Sequence, residues 1–219
     1  TILAKKYGIL NSVTDKNIIS DDGDVSGVII TTRHNLHAKD VIKFLTSKKH
    51  VFVEKPLALN IDELNSIKKT YKNCNSSLTV GFNRRFSPLS IEAKNQISHP
   101  ASPINVIATM NSGFIPNDHW VHDMQVGGGR IIGEACHYID LISYFTQSKI
   151  TSLVMNSLGQ NPNINTDNVS IILKYENGSQ GVINYFSNGN KSYPKERIEI
   201  FDNNKNIVID NFKKLLFYG

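Results

Sequence analysis

The 219-residue chain carries 24 Lys and Arg against 19 Asp and Glu, a formal net charge of +5, with 40% hydrophobic and 20% charged residues. That is an ordinary globular composition; no apolar run reaches the roughly 20 residues of a membrane span, and the N-terminal TILAKKYGIL lacks the apolar stretch of a signal peptide. Basic residues are scattered rather than clustered, which argues against nucleic acid as a partner, and two cysteines without metal spacing, Cys74 and Cys136, point to the cytoplasm.

Residues 1–8 read as the end of a helix closed by Gly8. VSGVIITT, 25–32, is a β-branched run of the length of a buried parallel strand. Asn35 is placed to cap a following helix whose apolar stripe is Ala38, Val41, Ile42 and Leu45. HVFVE, 50–54, is the next strand. Asn60 with Glu63 forms a capping-box start for a helix expected to bury Ile61, Leu64, Ile67 and Tyr71. SLTVGFN, 77–83, is a third strand. The order β-α-β-α-β implies a parallel sheet with right-handed crossovers.

The second half reads differently. Strand-like runs fall at 104–110, 150–158, 168–175, 180–187, 196–201, 206–210 and 214–218, separated by turn signals such as ENGS and DNNKN. One helix, about 129–145, interrupts them. Mostly sequential strands with short turns imply a largely antiparallel sheet. The chain is therefore α/β followed by α+β, joined near Asn83 to Pro88.

Ligands of open parallel sheets sit beyond the carboxyl ends of the strands. Here the three strands end in TTRHN, EKP and GFNRR, three polar tips expected to face one crevice. Lys55, beside Glu54, can exchange protons or hold a hydroxyl or anionic group, and Pro56 fixes the direction of its backbone. The competing account is a surface Lys before a turn.

In DHWVHDMQVGGGRIIGEACHYIDL, 118–141, three glycines precede a helix on which His137 lies three residues after Glu134 and three before Asp140. Those spacings share a helix face, so His137 is a candidate acid/base oriented by a carboxylate, against a buried structural histidine. A metal held by His119, His122, Asp123 and His137 is a weaker reading: the first pair is H-x-x-H in a loop, without a thiolate. No metal site is expected.

VIITTRHNLHAKDVIKFLTSKKHVFVEKPLAL, VGFNRRFSP and GGGRIIGEACHYIDL together resemble the glucose–fructose oxidoreductase / inositol dehydrogenase (Gfo/Idh/MocA) family across nearly the whole chain. GFNRRFSPL, GGGRIIGEACH and KSYPKERIEIF resemble the branch in which this module is the C-terminal part of a two-part oxidoreductase. The resemblance implies residues 1–83 as a partial Rossmann-like dinucleotide-binding domain lacking its first βαβ unit. It implies residues 84–219 as an α+β domain for substrate binding and dimerisation through an open sheet. The implied reaction is hydride transfer between NAD or NADP and a secondary alcohol of a sugar, polyol or nucleotide-sugar.

Carried over by motif, Lys55 places the nicotinamide and the reacting hydroxyl, and His137 takes or gives the hydroxyl proton, with Glu134 to orient it. Thr31, Thr32, Asn35, His37 and Glu54 would line the nicotinamide ribose side, and Asn83, Arg85, His119 and Trp120 would contact substrate. Lys55 and His137 should face one cleft, and the Lys55–Pro56 bond should be cis.

The sequence departs from the family pattern at two places. Arg33 stands where a Pro is usual, and Gly133 where an Asp would lie four residues before the catalytic His. Glu134 is one position away, a shift of about 100° around a helix. No G-x-G-x-x-G occurs in the chain, so a pyrophosphate-binding turn is missing from these residues. The chain is expected to be a fragment of a longer protein, or one that has lost its first unit. The alternative to an enzyme is a non-catalytic sensor or structural subunit with the same fold. The C-terminal strands place Ile171, Leu173, Val182, Tyr185 and Phe186 on faces that one helix cannot cover, so a homodimer through the open sheet is expected.

Overall fold

The computed structural model describes residues 2–98, 102–160 and 167–219. The chain divides into two compact units, Thr1–Gly81 and Phe82–Gly219, parting just ahead of the expected junction at 83/84.

In the first unit, two short helices, α1 (Ile2–Lys6) and α2 (Lys16–Asp21), precede strand β1 (Gly27–Ile30). Sequence reading missed α2, although Asp15 caps it through its side chain. Helix α3 (His34–Thr46), strand β2 (His50–Val53), helix α4 (Ile61–Lys72) and strand β3 (Leu78–Val80) complete the unit. The strands pair in parallel in the order β1-β2-β3, with Ile30 opposite Val53 and Val53 opposite Val80. α3 and α4 cover the face bearing Ile30, Val51 and Val53, and Ala38, Val41, Leu45 and Ile67 fill the layer between. Ile29 and Phe52 point to the other, exposed face.

Two local expectations need correction. Arg33 is the N-cap of α3 and Asn35 lies inside the helix, so Asn35 caps nothing; the helix begins one residue after Arg33, without a side-chain cap. On α4, Ile67 is buried, but Ile61 is 64% and Tyr71 45% exposed. The buried stripe is narrower because a three-stranded sheet leaves the helix ends uncovered. Half of the capping box at Asn60 forms: Asn60 Oδ1 accepts from the Glu63 amide at 2.9 Å, whereas Glu63 Oε2 reaches one residue past the cap and accepts from the Leu59 amide at 2.8 Å.

The second unit opens with a 3₁₀ turn, Asn83–Phe86, and helix α5 (Pro88–Gln96), which has Pro at its first turn. Strand β4 (Asn105–Asn111) leads into a long loop, a π-helical turn over Ile131–Ala135 and helix α6 (Cys136–Thr146). Strands β5 (Ile150–Ser157), β6 (Val169–Tyr175), β7 (Gln180–Phe186), β8 (Glu196–Asp202), β9 (Lys205–Asp210) and β10 (Lys214–Tyr218) follow. They build a seven-stranded sheet in the order β10-β9-β8-β4-β7-β6-β5, antiparallel except for the parallel β4–β7 pair. Two helices, α5 and α6, serve this sheet rather than the one expected. The α5 sequence, PLSIEAKNQ, has too few apolar residues to mark out one face, and Pro88 reads as readily as a turn residue.

Tyr138, Leu141, Ile142 and Phe145 of α6 and Ala93 of α5 pack with Ile171, Leu173, Ile183, Tyr185, Ile198, Ile200 and Ile209. The opposite face is largely open, with Val208 buried on it. Register places Val154, Ile172, Val182, Ile107, Glu199, Val208 and Leu216 in one row across it. Val154 is 67% and Ile172 47% exposed. Ile171, Leu173 and Tyr185 thus lie under the helices, whereas Val182 and Phe186 lie on the open face.

Candidate active site

In the first unit the carboxyl ends of the three strands are tied together by backbone bonds. The Glu54 amide donates to Ile30 O at 2.9 Å, and the Gly81 amide donates to Val53 O at 2.8 Å. The Lys55–Pro56 peptide is cis, Pro56 is buried and Lys55 is half-buried. Thr31 and Thr32 are exposed at the tip of β1, and Asn35 is half-buried on the first turn of α3. Glu54 stands beside Gly81, where a Cβ would lie 3.2 Å from Glu54 Oε1 and 3.2 Å from the Phe52 ring. Glycine at 81 therefore leaves Glu54 its position.

His37 is fully buried. Its Nδ1 is 2.7 Å from Pro56 O and its Nε2 2.9 Å from Thr32 O. It bridges the tip of β1 to the turn that carries Lys55. The expectation that His37 lines a ribose is corrected accordingly: a side chain with no exposed surface and both ring nitrogens facing carbonyls is a strut, which holds Thr32 and Pro56 for the residues around it.

In the second unit the loop between β4 and α6 carries His119 and Trp120, whose rings lie 5.8 Å apart. The loop folds onto the glycine run. A Cβ at Gly127 would meet Val121 Cα at 2.5 Å and Trp120 O at 2.6 Å, a backbone approach no side chain allows. Gly128 and Gly129 take φ of 74° and 76°, the left-handed turn that brings the chain into the π-helical segment. A π-turn commonly marks a functional position in a helix, and His137 follows directly after this one, 8% exposed, with the Phe82 ring edge-on at 6.2 Å.

Arginines hold both carboxylates near His137. Glu134 accepts from Arg130 Nε at 3.0 Å and from the Tyr185 hydroxyl at 2.6 Å. Arg130, 2% exposed, also donates to Gly113 O at 2.6 Å and lies over the Tyr185 ring. Burial, and then the negative charge of Glu134, push the Tyr185 hydroxyl far above its usual range, so it remains a donor. Asp140 is gripped by both arms of Arg85, Nε donating to Oδ2 at 2.8 Å and Nη2 to Oδ1.

Arg85, expected to contact substrate, is thus engaged by Asp140 and stacks 5.5 Å above Tyr144. Its neighbour Arg84 pairs with Glu196, which also accepts from the Tyr138 hydroxyl at 2.7 Å. Asn83 is exposed at the start of the 3₁₀ turn. Sequence reading missed Arg130 and Tyr185. The i, i+4 spacing of Arg130 and Glu134 was a usable signal, but nothing local links Tyr185 to a residue 51 positions away. Among the described residues no cluster of three or more His, Cys, Asp or Glu is arranged to hold a metal.

Two family models match, one described as an oxidoreductase family with an NAD-binding Rossmann fold over residues 2–82, the other as the GFO/IDH/MocA C-terminal domain over residues 102–207. The chain belongs to the Gfo/Idh/MocA oxidoreductase family. The myo-inositol 2-dehydrogenase of Thermotoga maritima is 25% identical over 222 residues, covering 97% of this chain and 64% of that protein. The scyllo-inositol 2-dehydrogenase (NAD(+)) of Bacillus subtilis is 27% identical over 187 residues, covering 82% and 54%. A levoglucosan dehydrogenase solved in complex with NADH superposes with a TM-score of 0.85 at 25% identity, covering 98% of this chain and 62% of that one. The chain thus spans less than two thirds of the length of these Gfo/Idh/MocA relatives.

The tips of β1 and β2 carry Thr31, Thr32, Glu54 and Lys55 at one end of the sheet, a polar lining that fits part of a dinucleotide, and Gly81 leaves the Glu54 carboxylate its space. No G-x-G-x-x-G occurs in the 219 residues. No helix among the described residues is long and apolar enough to cross a membrane.

Proposed function

We propose that the protein is an NAD- or NADP-dependent dehydrogenase acting on a secondary alcohol of a sugar, polyol or nucleotide-sugar. The observation that carries this most is the Glu54–Lys55–Pro56 turn, set at the tip of the middle strand by the His37 bridge from Pro56 O to Thr32 O. The inositol and levoglucosan dehydrogenases among its relatives support the substrate class. Bound NAD or NADP would supply the hydride acceptor. Thr31, Thr32, Asn35 and Glu54 would hold the nicotinamide ribose side. Lys55 donates hydrogen bonds to the reacting hydroxyl and stabilises the charge that develops on its oxygen. His137 accepts the hydroxyl proton as the C–O bond becomes a carbonyl, and returns it in the reverse direction. His119, Trp120 and Asn83 offer an aromatic surface and an amide to a polyhydroxylated ring.

The test is oxidation of a panel of inositols, hexoses and nucleotide-sugars by the whole protein with NAD and with NADP, followed by nicotinamide absorbance. Turnover of at least one of them is expected. Tight binding of a panel member with no turnover under either cofactor would instead support the non-catalytic sensor.

We also propose that the open sheet face is covered by a second copy of the chain through an isologous two-fold interface. The row from Val154 through Ile172 and Ile107 to Leu216 is apolar except at Glu199, and it runs across the full width of the sheet. An obligate interface of this type buries more than about 2,000 Å². Light scattering at micromolar concentration should give the mass of two chains, and Ile172→Arg should give that of one. A monomeric wild type would contradict the assembly.

A further inference from the structure

The two carboxylates flanking His137 on its helix each have an arginine of their own. Glu134 lies three residues before it, in the π-turn, and Asp140 three after, on α6, where that spacing brings Cβ atoms within about 5–6 Å. An uncompensated carboxylate at such range favours the imidazolium by about 1–3 pK units. Here Arg130 takes Glu134 and Arg85 takes Asp140. The Asp140 hydrogen bonds, foremost, raise the affinity of Arg85 for its proton.

Of the other charged groups around the helix, Lys94 of α5 donates to Phe145 O at the far end of α6, and the remaining ones sit in pairs. Arg84, on the 3₁₀ turn that packs against α6, is paired with Glu196 of β8, whose carboxylate also accepts from Tyr138. Tyr185 of β7 donates to Glu134. Within this unit, then, Arg84, Arg85 and Arg130 meet Glu196, Asp140 and Glu134 one for one.

We propose that Arg85 and Arg130 tune His137 by cancelling the two carboxylates beside it, so that the imidazole can take a proton from the substrate hydroxyl and give it back instead of being locked as imidazolium. Arg85 is then a positioning and tuning residue acting through Asp140, not a substrate contact. The inference rests on the role of His137 proposed above, but the charge arrangement can be read without turnover.

The experiment is an NMR titration of the His137 ring in this chain, assigned with His137→Gln, for wild type, Arg85→Gln, Asp140→Asn and the double variant. Arg85→Gln frees the carboxylate and removes a cation, so the His137 midpoint should rise by about one pH unit, the low end of that range. Asp140→Asn leaves the Arg85 cation uncompensated and should lower it by a similar amount. The double variant should return to within about 0.2 units of wild type, a cancellation that general loosening of the structure does not produce.

Single variants that shift the midpoint in the same direction, or by less than about 0.2 units, would overturn the proposal. If Arg85→Gln does not fold, Asp140→Asn and the double variant still decide. In the whole protein, a rise in KM for Arg85→Gln without any change in the His137 titration would mark a substrate contact and would also overturn it. Full turnover in His137→Ala would remove the proposed chemistry while leaving the titration result standing.

Discussion

Arg130→Ala is expected to cost the larger unit about 3 kcal/mol of stability, the low end of what breaking a buried ion pair costs. The low end applies because the Glu134 side chain keeps 33% exposure, so water can partly replace the lost partner. The loss still falls on several acceptors at once. Gly113 O and Ser112 O lose their donor, Glu134 loses two of its hydrogen bonds, and the Tyr185 ring loses the guanidinium stacked on it. Tyr185→Phe removes a single bond to Glu134 and should cost about 1 kcal/mol. Arg130→Lys keeps the charge but not the planar fork that serves carbonyl and carboxylate together, so it should recover only part of the loss. Trp120 is the single tryptophan of the chain and lies in this unit, so its fluorescence in a urea titration reports the relevant transition. A midpoint unchanged from wild type would show that Arg130 is not holding the end of β4 to the π-turn.

Lys55→Ala and His137→Ala are each expected to lower kcat of the whole protein by at least about a hundredfold. The two substitutions should differ in their pH behaviour. His137→Ala removes the proposed proton acceptor, so the remaining activity should climb with pH as hydroxide takes over that role. Lys55→Ala removes a hydrogen-bond donor to the developing alkoxide, and Lys55→Arg should not rescue it, because a guanidinium presents its donors in a fixed plane. Circular dichroism on each variant separates lost chemistry from lost fold. Retention of more than about a tenth of wild-type kcat in either variant would remove that residue from the reaction.

The elements were legible where one strong local pattern stood alone. The β-branched run at 25–32, of which Gly27–Ile30 is strand, the Asn60 cap on the Glu63 amide, and the alternation in VSIILKY and GVINYFS each appear where the residues put them. What escaped depended on tertiary context. α5 starts at a proline and lacks a clear apolar stripe, so it was absorbed into the linker. Ile61 and Tyr71 carry the correct spacing for a buried face, but the neighbouring layer does not extend far enough to cover them.

The same division runs through the candidate site. The helix spacing of Glu134, His137 and Asp140 can be read from the chain, yet it suggested a carboxylate free to orient the histidine. Arg85 and Tyr185 reach these carboxylates across 55 and 51 residues, and no local pattern announces such a bond. His37 likewise reads as a polar residue near a ligand. Its burial between Thr32 O and Pro56 O follows only once the turn after β2 closes over α3.

The most direct measurement follows a deuterium label. A polyol substrate from the panel, deuterated at the carbinol carbon, is oxidised by the whole protein, and the reduced nicotinamide is analysed by NMR for label at ring C4. Direct transfer of the carbinol hydrogen as hydride should place one deuterium on one face of C4, with none lost to water. Label appearing in solvent, or unlabelled reduced nicotinamide, would contradict hydride transfer as the reaction of this protein.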